Sequence, residues 1–274
     1  MIRKIVGMLA AASLLLAGAA QAQEKSRLDD IMARGKLIVG VTSEAPPFGF
    51  IDEKGALVGF DIDIARLIAK HLFKDEAASR VEFVKQGFAA RWPNVESGAV
   101  DIGIQVTTIL PDRLMRVNFT RAYIDSGIVM IVKKDSPFKT LKDLDNAKYT
   151  TAVLTNPQQA ERAKVHFPKA KMLVFDSVAA EVTALKTNRA DAAQLDTPVA
   201  RWYVKQNPDL RILEQPLMPP TNNAVFMKHG DFKLWSVLDM LVGEMTGGSL
   251  YPEYAAIYEK WFGERPIHAK HYVK

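Results

Sequence analysis

Short apolar runs alternate with segments of helical periodicity along most of the chain. The runs LIVGV, VEFV and VDIGIQV, which begin at Leu37, Val81 and Val100, predict buried strands. Between the first two, residues 60–73 repeat apolar side chains at a helical spacing, which predicts an amphipathic helix. This strand–helix–strand order is typical of an α/β fold with a mostly parallel sheet flanked by helices.

The same order restarts after residue 126. Strands are predicted at residues 126–136, 148–154, 171–175 and 191–196, and helices at residues 157–167 and after Ser177 and Thr197.

The chain after about Leu217 does not continue this second unit, so we expect it to fold back and complete the first. The sequence therefore predicts two lobes joined by two crossover strands, near residues 122–127 and 215–221. The expected lobes are residues 23–123 plus 218–274, and residues 124–217. A cleft between two such lobes suits a small molecule.

The first 22 residues have the pattern of a secretory signal peptide. Arg3 and Lys4 precede an apolar run that ends at Ala20, and Ala20-Gln21-Ala22 is a small-x-small cleavage signal. A membrane anchor is the alternative, but the run is short for a spanning helix and a polar segment follows it directly. We therefore expect a secreted, periplasmic protein.

The amino-acid composition limits the kinds of partner and site that the chain can have. The formal net charge is +5, and the basic residues are scattered rather than clustered, so no nucleic-acid partner is expected. The absence of cysteine excludes thiol nucleophiles and thiolate metal sites. The five histidines are spread out, and His268 and His271 lie in the C-terminal tail, so we expect no metal site and no cofactor.

The segment TTILPDR offers an anion site. Thr107 and Thr108 follow a predicted strand, and Pro111 suits the first position of a helix because it needs no N–H group. Arg113 adds a planar guanidinium that binds a carboxylate through two parallel hydrogen bonds. The alternative for Arg113 is a solvated arginine in the first turn of a helix.

Several motifs in order carry a family resemblance. They cover about Leu37 to Gly263, and together they resemble the periplasmic polar-amino-acid-binding proteins, family 3 of the bacterial extracellular solute-binding proteins. The resemblance implies a fold that closes on an amino acid and delivers it to an inner-membrane ABC permease, and we expect a monomer. The motifs are LIVGVTSEAPPFGF, the run GALVGFDIDIA, SGAVDI, TTILPDR with VNFT, AYIDSG with IVKKDS, LKDL, ALKTNRADAAQLD and IYEKWFG.

The resemblance also implies roles for individual residues. Arg113 matches the arginine that grips the ligand α-carboxylate, and Thr108 matches a hydroxyl residue that assists it. Asp196, from the second lobe, matches the carboxylate that takes the α-ammonium. The alternative for Asp196 is an N-cap of the helix that begins at Thr197.

Two further positions have competing interpretations. Phe88 matches an aromatic that packs on the ligand side chain, but it is equally consistent with simple core. The segment around Arg91 partly resembles the pattern of the glutamate- and aspartate-binding members, in which an arginine at this position contacts the side-chain carboxylate of the ligand. A solvated helix arginine is the favoured interpretation of Arg91, and an acidic ligand is the alternative.

The chain also departs from the family pattern. An alanine stands where an aromatic lid is common, three residues before Phe48, and Val106 stands where small or hydroxyl residues are usual. Pro157 has no N–H group, so a backbone donor to the ligand is lost. Asn156 and Gln158 are expected to reach into the cleft instead. Phe48, Val106 and Glu44 complete the set of candidate ligand-binding residues.

Two rival functions remain open. Cyclohexadienyl dehydratases share this fold and export route, and such an enzyme needs a general acid in the cleft, for which Asp196 or Glu44 would have to serve. A sensor module of a membrane kinase is the third option, and the lack of a transmembrane segment argues against it. We expect a binding protein rather than an enzyme.

Overall fold

The computed structural model describes residues 25–75 and 78–266. The predicted signal peptide, His268 and His271 lie outside the described residues. In the described part of the chain, no helix has the length and apolarity needed to cross a bilayer.

The first lobe combines both ends of the chain. Its elements are α1 (Arg27–Arg34), β1 (Leu37–Val41), β2 (Glu44–Ala45), β3 (Gly49–Ile51), β4 (Leu57–Val58), α2 (Phe60–Phe73), β5 (Val81–Lys85), α3 (Arg91–Ser97), β6 (Ile102–Gly103), α4 (Pro111–Leu114), β7 (Asn118–Ser126), β13 (Thr221–Met227), α8 (Phe232–Gly247) and α9 (Tyr251–Phe262). Its main sheet has the order β5-β1-β6-β13-β7, and β2, β3 and β4 form a small second sheet.

The second lobe repeats this plan on the middle of the chain. Its elements are β8 (Ile128–Lys133), β9 (Thr150–Leu154), α5 (Pro157–His166), β10 (Lys171–Phe175), α6 (Val178–Lys186), β11 (Ala192–Asp196), α7 (Thr197–Gln206) and β12 (Leu210–Ile212). Its sheet has the order β10-β9-β11-β8-β12. The predicted α/β class with two lobes is confirmed.

Each sheet is mixed rather than mostly parallel. Strands β5, β1 and β6 run parallel, as do β10, β9 and β11, while β13 and β8 pair antiparallel with their neighbours. The reason lies in the two crossings. The chain leaves the first lobe through β7 and returns through β13, so these two strands point in opposite directions, with Ser126 opposite Thr221. The proposed domain limits at residues 123 and 217 stay a prediction.

Helix α2 occupies the residues predicted for it and carries the core of the first lobe. Phe60, Ile64 and Ile68 are almost completely buried on its inner face. The helix begins after Gly59, whose φ is +142° and whose position leaves no room for a side chain, because a Cβ there would lie 2.1 Å from the Phe48 carbonyl oxygen. Glycine is therefore required where the chain enters α2.

The strand predicted at Val100 to Val106 is shorter than expected. Regular strand pairing is limited to β6. One further backbone hydrogen bond follows it, from the Ile104 N–H to the Gly40 carbonyl oxygen at 3.0 Å. The buried side chain of Gln105 then forms two hydrogen bonds with Gln86. Val106 follows with φ of +44°, a left-handed conformation that valine rarely adopts. The chain thus turns sharply at the end of β6, which is where the cleft begins.

Candidate functional site

A cavity lies between the two lobes, at the ends of the central strands. Both lobes contribute polar and apolar side chains to its wall. The lining residues are Ala45, Phe88, Arg91, Val106, Thr108, Leu110 and Arg113 from the first lobe, Met218 from the second crossing, and Ile128, Leu154, Asn156, Gln159, Arg162, Val178, Gln194, Leu195, Asp196 and Val199 from the second lobe.

The loop after β6 is held in its strained shape by a buried carboxyl. Asp61 is inaccessible to water, and its two oxygens accept the Val106 N–H at 3.1 Å and the Tyr123 hydroxyl at 2.7 Å. Burial raises the pKa of Asp61 to about 7. Because Val106 lines the cavity, this network fixes the start of the loop that carries Thr107 and Thr108.

Arg113 is buried at the cavity, so the solvated alternative does not hold. Its guanidinium Nη1 donates to the Thr108 carbonyl at 2.8 Å, and its Nε has no hydrogen-bond partner among the described residues. Helix α4 begins at Pro111, as predicted. Thr108 in turn donates from its hydroxyl to Asn223 at 3.2 Å. Burial lowers the pKa of Arg113, and Asp196 partly offsets that shift.

Asp196 ends β11 and stands at the N-cap position of α7. Its side chain makes no capping hydrogen bond within the described structure, so it is available to the cavity. It accepts one bond, from the Ser126 hydroxyl at 3.2 Å. Desolvation raises the pKa of Asp196 to about 6, against the opposing effects of that hydrogen bond and of Arg162, Arg113 and Arg91.

Arg91 is buried, which corrects the favoured interpretation of a solvated helix arginine. Only 4% of its surface is exposed, because it starts α3 on the side that faces the cavity. Its guanidinium lies 4.4 Å from the Trp92 ring centroid and 5.6 Å from that of Phe88. Its single described hydrogen bond is a long one of 3.5 Å to the Thr107 hydroxyl. Burial lowers the pKa of Arg91 to about 9.

The second lobe contributes a polar group that the sequence analysis missed. Arg162 donates from Nε to Gln194 at 2.8 Å, and Gln194 donates to the Gln159 carbonyl at 3.1 Å. Gln159 and Arg162 are three residues apart on α5, so they lie on one helix face. Ala163, which is buried beside them, lies on the same inward face.

The remaining predicted site residues separate into two groups. Asn156 lines the cavity and also caps α5 by accepting the Gln158 N–H at 3.1 Å. Gln158 lies outside the lining, but its amide donates to Asp112 at 2.7 Å and so joins the two lobes. Phe48 and Glu44 do not line the cavity.

Phe48 belongs to an aromatic cluster in the first lobe. It is fully buried, and its ring centroid lies 6.0 Å from those of both Phe60 and Phe262. Glu44 is exposed on the short strand β2. These two residues are therefore not brought to the cavity.

The arrangement is suited to binding charged groups of both signs. Among the described lining residues, Asp196 alone has a carboxyl, and the basic groups are three guanidiniums. No cluster of three or more His, Cys, Asp or Glu in the described ranges could hold a metal ion. The cavity thus offers fixed charges and amides as ligand partners.

Comparison with known proteins shows which family the chain resembles. The model of the bacterial extracellular solute-binding proteins, family 3, matches residues 37–264. A glutamine-binding protein from Geobacillus stearothermophilus is 34% identical over 189 residues, which cover 69% of this chain and 71% of that protein.

Two further likenesses concern the rival enzymatic function. The solved structure of an ancestral amino acid-binding protein, a precursor of cyclohexadienyl dehydratase, superposes with a TM-score of 0.79 and 32% identity, covering 86% of this chain and 100% of that one. The cyclohexadienyl dehydratase of Pseudomonas aeruginosa is 28% identical over 214 residues, 76% of each chain.

Proposed function

The chain belongs to family 3 of the bacterial extracellular solute-binding proteins, and we propose from this membership that it is an amino-acid receptor of an ABC importer. One observation carries the proposal. Arg113 of the first lobe and Asp196 of the second, which have opposite charges, line the same cavity. A free α-amino acid carries the complementary pair of charges on one carbon atom.

The proposed contacts follow from the hydrogen-bond donors of the cavity that have no partner in the described structure. The ligand α-carboxylate binds the Arg113 guanidinium, whose Nε has no partner in the described structure, with the Thr108 hydroxyl beside it. The α-ammonium binds Asp196. Charge-assisted hydrogen bonds of this kind are roughly twice as strong as neutral ones in a water-poor site. The ammonium also offsets the desolvation of the aspartate.

Closure of the lobes completes this site. The ligand first binds Arg113 on the first lobe, and rotation about the crossings then brings Asp196 onto the ammonium. The Gln158–Asp112 bond between the lobes adds a polar contact to the closed form. The ligand stabilises that form because it makes contacts there that the open form lacks.

The place of action follows from the N-terminal sequence. We propose that the signal peptide directs the chain to the periplasm and is removed after Ala22. The partner is then an inner-membrane ABC permease, which receives the amino acid from the closed receptor. We propose a monomer in solution.

The chain is proposed to catalyse no reaction. A dehydratase needs a general acid placed in the cavity. Glu44 is exposed outside the cavity. Asp196 is the one carboxyl among the described lining residues, and it is assigned to the ligand ammonium. Incubation with prephenate and with arogenate is expected to give no phenylpyruvate and no phenylalanine. Formation of either product would overturn this part of the proposal.

A ligand screen tests the receptor function. The mature protein is unfolded and refolded to strip bound ligand, and its thermal unfolding is followed with each common amino acid. A ligand at about 100 times its dissociation constant adds about 2.7 kcal/mol, which raises the midpoint by roughly 5–10 °C. Sucrose, phosphate and spermidine serve as controls without the α-amino-acid group. If no amino acid shifts the midpoint, the proposed function is wrong.

A further inference from the structure

Two aromatic rings make contact across the two lobes. Phe50 lies on β3 of the first lobe, and Trp202 lies on α7 of the second. Their ring centroids are 5.7 Å apart, with an interplanar angle of 52°. This separation lies within the range in which aromatic pairs attract each other. The contact is apolar, whereas the Gln158–Asp112 bond that also joins the lobes is polar.

The Phe50 ring is supported from its own lobe. Trp261 of α9 lies 5.8 Å from it in a T-shaped arrangement, with an interplanar angle of 83°. The indole N–H of Trp261 donates to Asp63 on α2 at 2.9 Å, which fixes this ring on the first lobe. Phe50 therefore contacts an anchored ring of its own lobe and a ring of the other lobe at the same time.

The pair of rings lies outside the hydrophobic cores. Phe50 and Trp202 are both half-buried, and neither belongs to a core cluster in the described part of the chain. A second cavity of about 560 Å³, which both lobes line, borders Trp202 and Trp261. The Phe50 and Trp202 rings can therefore separate without disrupting the packing of either lobe.

Each ring is carried by an element that is tied to the ligand cavity. Helix α7 begins directly after Asp196, and its Val199 lines that cavity. Strand β3 pairs with β2, whose Ala45 lines the cavity from the first lobe. Neither Phe50 nor Trp202 is among the described lining residues, so a change at either removes no group from the cavity wall.

We infer that Phe50 and Trp202 form an interlobe latch that holds α7, and with it Asp196, against the first lobe when the lobes close. The inference rests on the proposed function, because it uses the closure described there. The rings meet only when the lobes approach each other, so their contact stabilises the closed form alone. Both are positioning residues, which raise the affinity for the amino acid without contacting it.

Release kinetics test the latch. The probe is the common amino acid that gives the largest thermal shift in the ligand screen, and rapid filtration follows its radiolabelled form. In Phe50→Leu and in Trp202→Leu we expect release to accelerate roughly 3- to 10-fold, the factor that corresponds to one aromatic pair. Association should change by less than about twofold, because the first contact is made with Arg113 in the open form. A large loss of stability of the ligand-free variants in urea would assign the rings to the cores and overturn the latch.

Three further variants make the result specific. Phe232→Leu is the matched control, because Phe232 and Trp235 form a pair of similar separation, 5.5 Å, within α8 of the first lobe. It should leave both rates unchanged. Trp202→Phe keeps an aromatic ring, so its release rate should stay within about twofold of the wild-type rate. The double variant of Phe50→Leu and Trp202→Leu should release the amino acid no more than about twofold faster than the faster single variant, because the two rings make one interaction.

The outcomes separate the latch from the proposed function. Wild-type release rates in both Phe50→Leu and Trp202→Leu would overturn the latch and leave the amino-acid receptor intact. Effects that multiply in the double variant would also overturn it, because the two rings would then act separately. Failure of every amino acid to bind the wild type would instead remove the proposed function on which the inference depends.

Discussion

Arg113→Met is expected to weaken amino-acid binding by roughly 1,000-fold. Loss of one partner from a buried, hydrogen-bonded charge pair costs about 2–5 kcal/mol, and about 4 kcal/mol corresponds to that factor. Methionine keeps much of the apolar volume of the arginine stem, so the change removes mainly the charge and its donors. Calorimetric titration of the stripped variant with the amino acid found for the wild type measures the effect.

The control for this change lies one turn further along the chain. Arg116 pairs with Glu96 on the surface, with half of its side chain exposed, and Arg116→Met should leave affinity within about twofold. Arg113 also bonds to the Thr108 carbonyl, so urea unfolding is needed to show that Arg113→Met remains folded. A folded Arg113→Met protein with unchanged affinity would remove Arg113 from the site.

Asp196→Asn is expected to weaken binding by roughly 100-fold. An amide of the same shape cannot supply the negative charge that the ligand ammonium needs, and a hydrogen bond to a charged group contributes about 1.5–3 kcal/mol. The change should not disturb α7, because the Asp196 side chain makes no capping bond in the described structure. The titration is performed as for Arg113.

Two comparisons make the Asp196 result specific. Asp209→Asn, on an exposed residue of the same lobe, should leave affinity unchanged. The double variant of Arg113 and Asp196 should lose less binding free energy than the two single variants combined. Both groups bind the same ligand, so the loss of one already weakens the contribution of the other. An Asp196→Asn protein that binds as tightly as the wild type would mean that the ammonium is held elsewhere.

The periodicity of the sequence predicted most of the secondary structure, because each lobe repeats short buried strands and amphipathic helices. Helix α2 and strand β9 fall where the apolar pattern placed them. The small sheet of β2, β3 and β4 was not predicted, since its strands are two or three residues long and show no period. Strand β6 ended early because the chain turns at Val106, whose φ of +44° does not fit a strand.

The site was partly visible in the sequence. Arg113, Thr108 and Asp196 line one cavity, although nothing local to TTILPDR or AAQLD indicates that they meet. Their juxtaposition depends on the two crossings between the lobes. Arg91 and Arg162 show why local pattern is insufficient: each lies in a polar helical segment that favours solvent, and only tertiary packing turns that face inward.

Phe48 illustrates the opposite error. It was a candidate ligand-binding residue, yet it packs in the core, with its ring centroid 6.0 Å from that of Phe60. A large aromatic gains more free energy by full burial than by partial contact with a ligand, roughly in proportion to the apolar area removed from water. The local sequence does not predict the path of the turn before Phe48, and this path determines whether the ring lies in the core or at the cleft.

The most direct test of the zwitterion clamp uses one protein and three related ligands. The wild-type, ligand-stripped protein is titrated with its tightest-binding amino acid, with the α-carboxamide of that amino acid, and with the corresponding α-hydroxy acid. The carboxamide lacks the anion for Arg113, and the hydroxy acid lacks the cation for Asp196. Each analogue is predicted to bind at least about 100-fold more weakly than the amino acid. Binding of either analogue as tight as that of the amino acid would contradict the clamp.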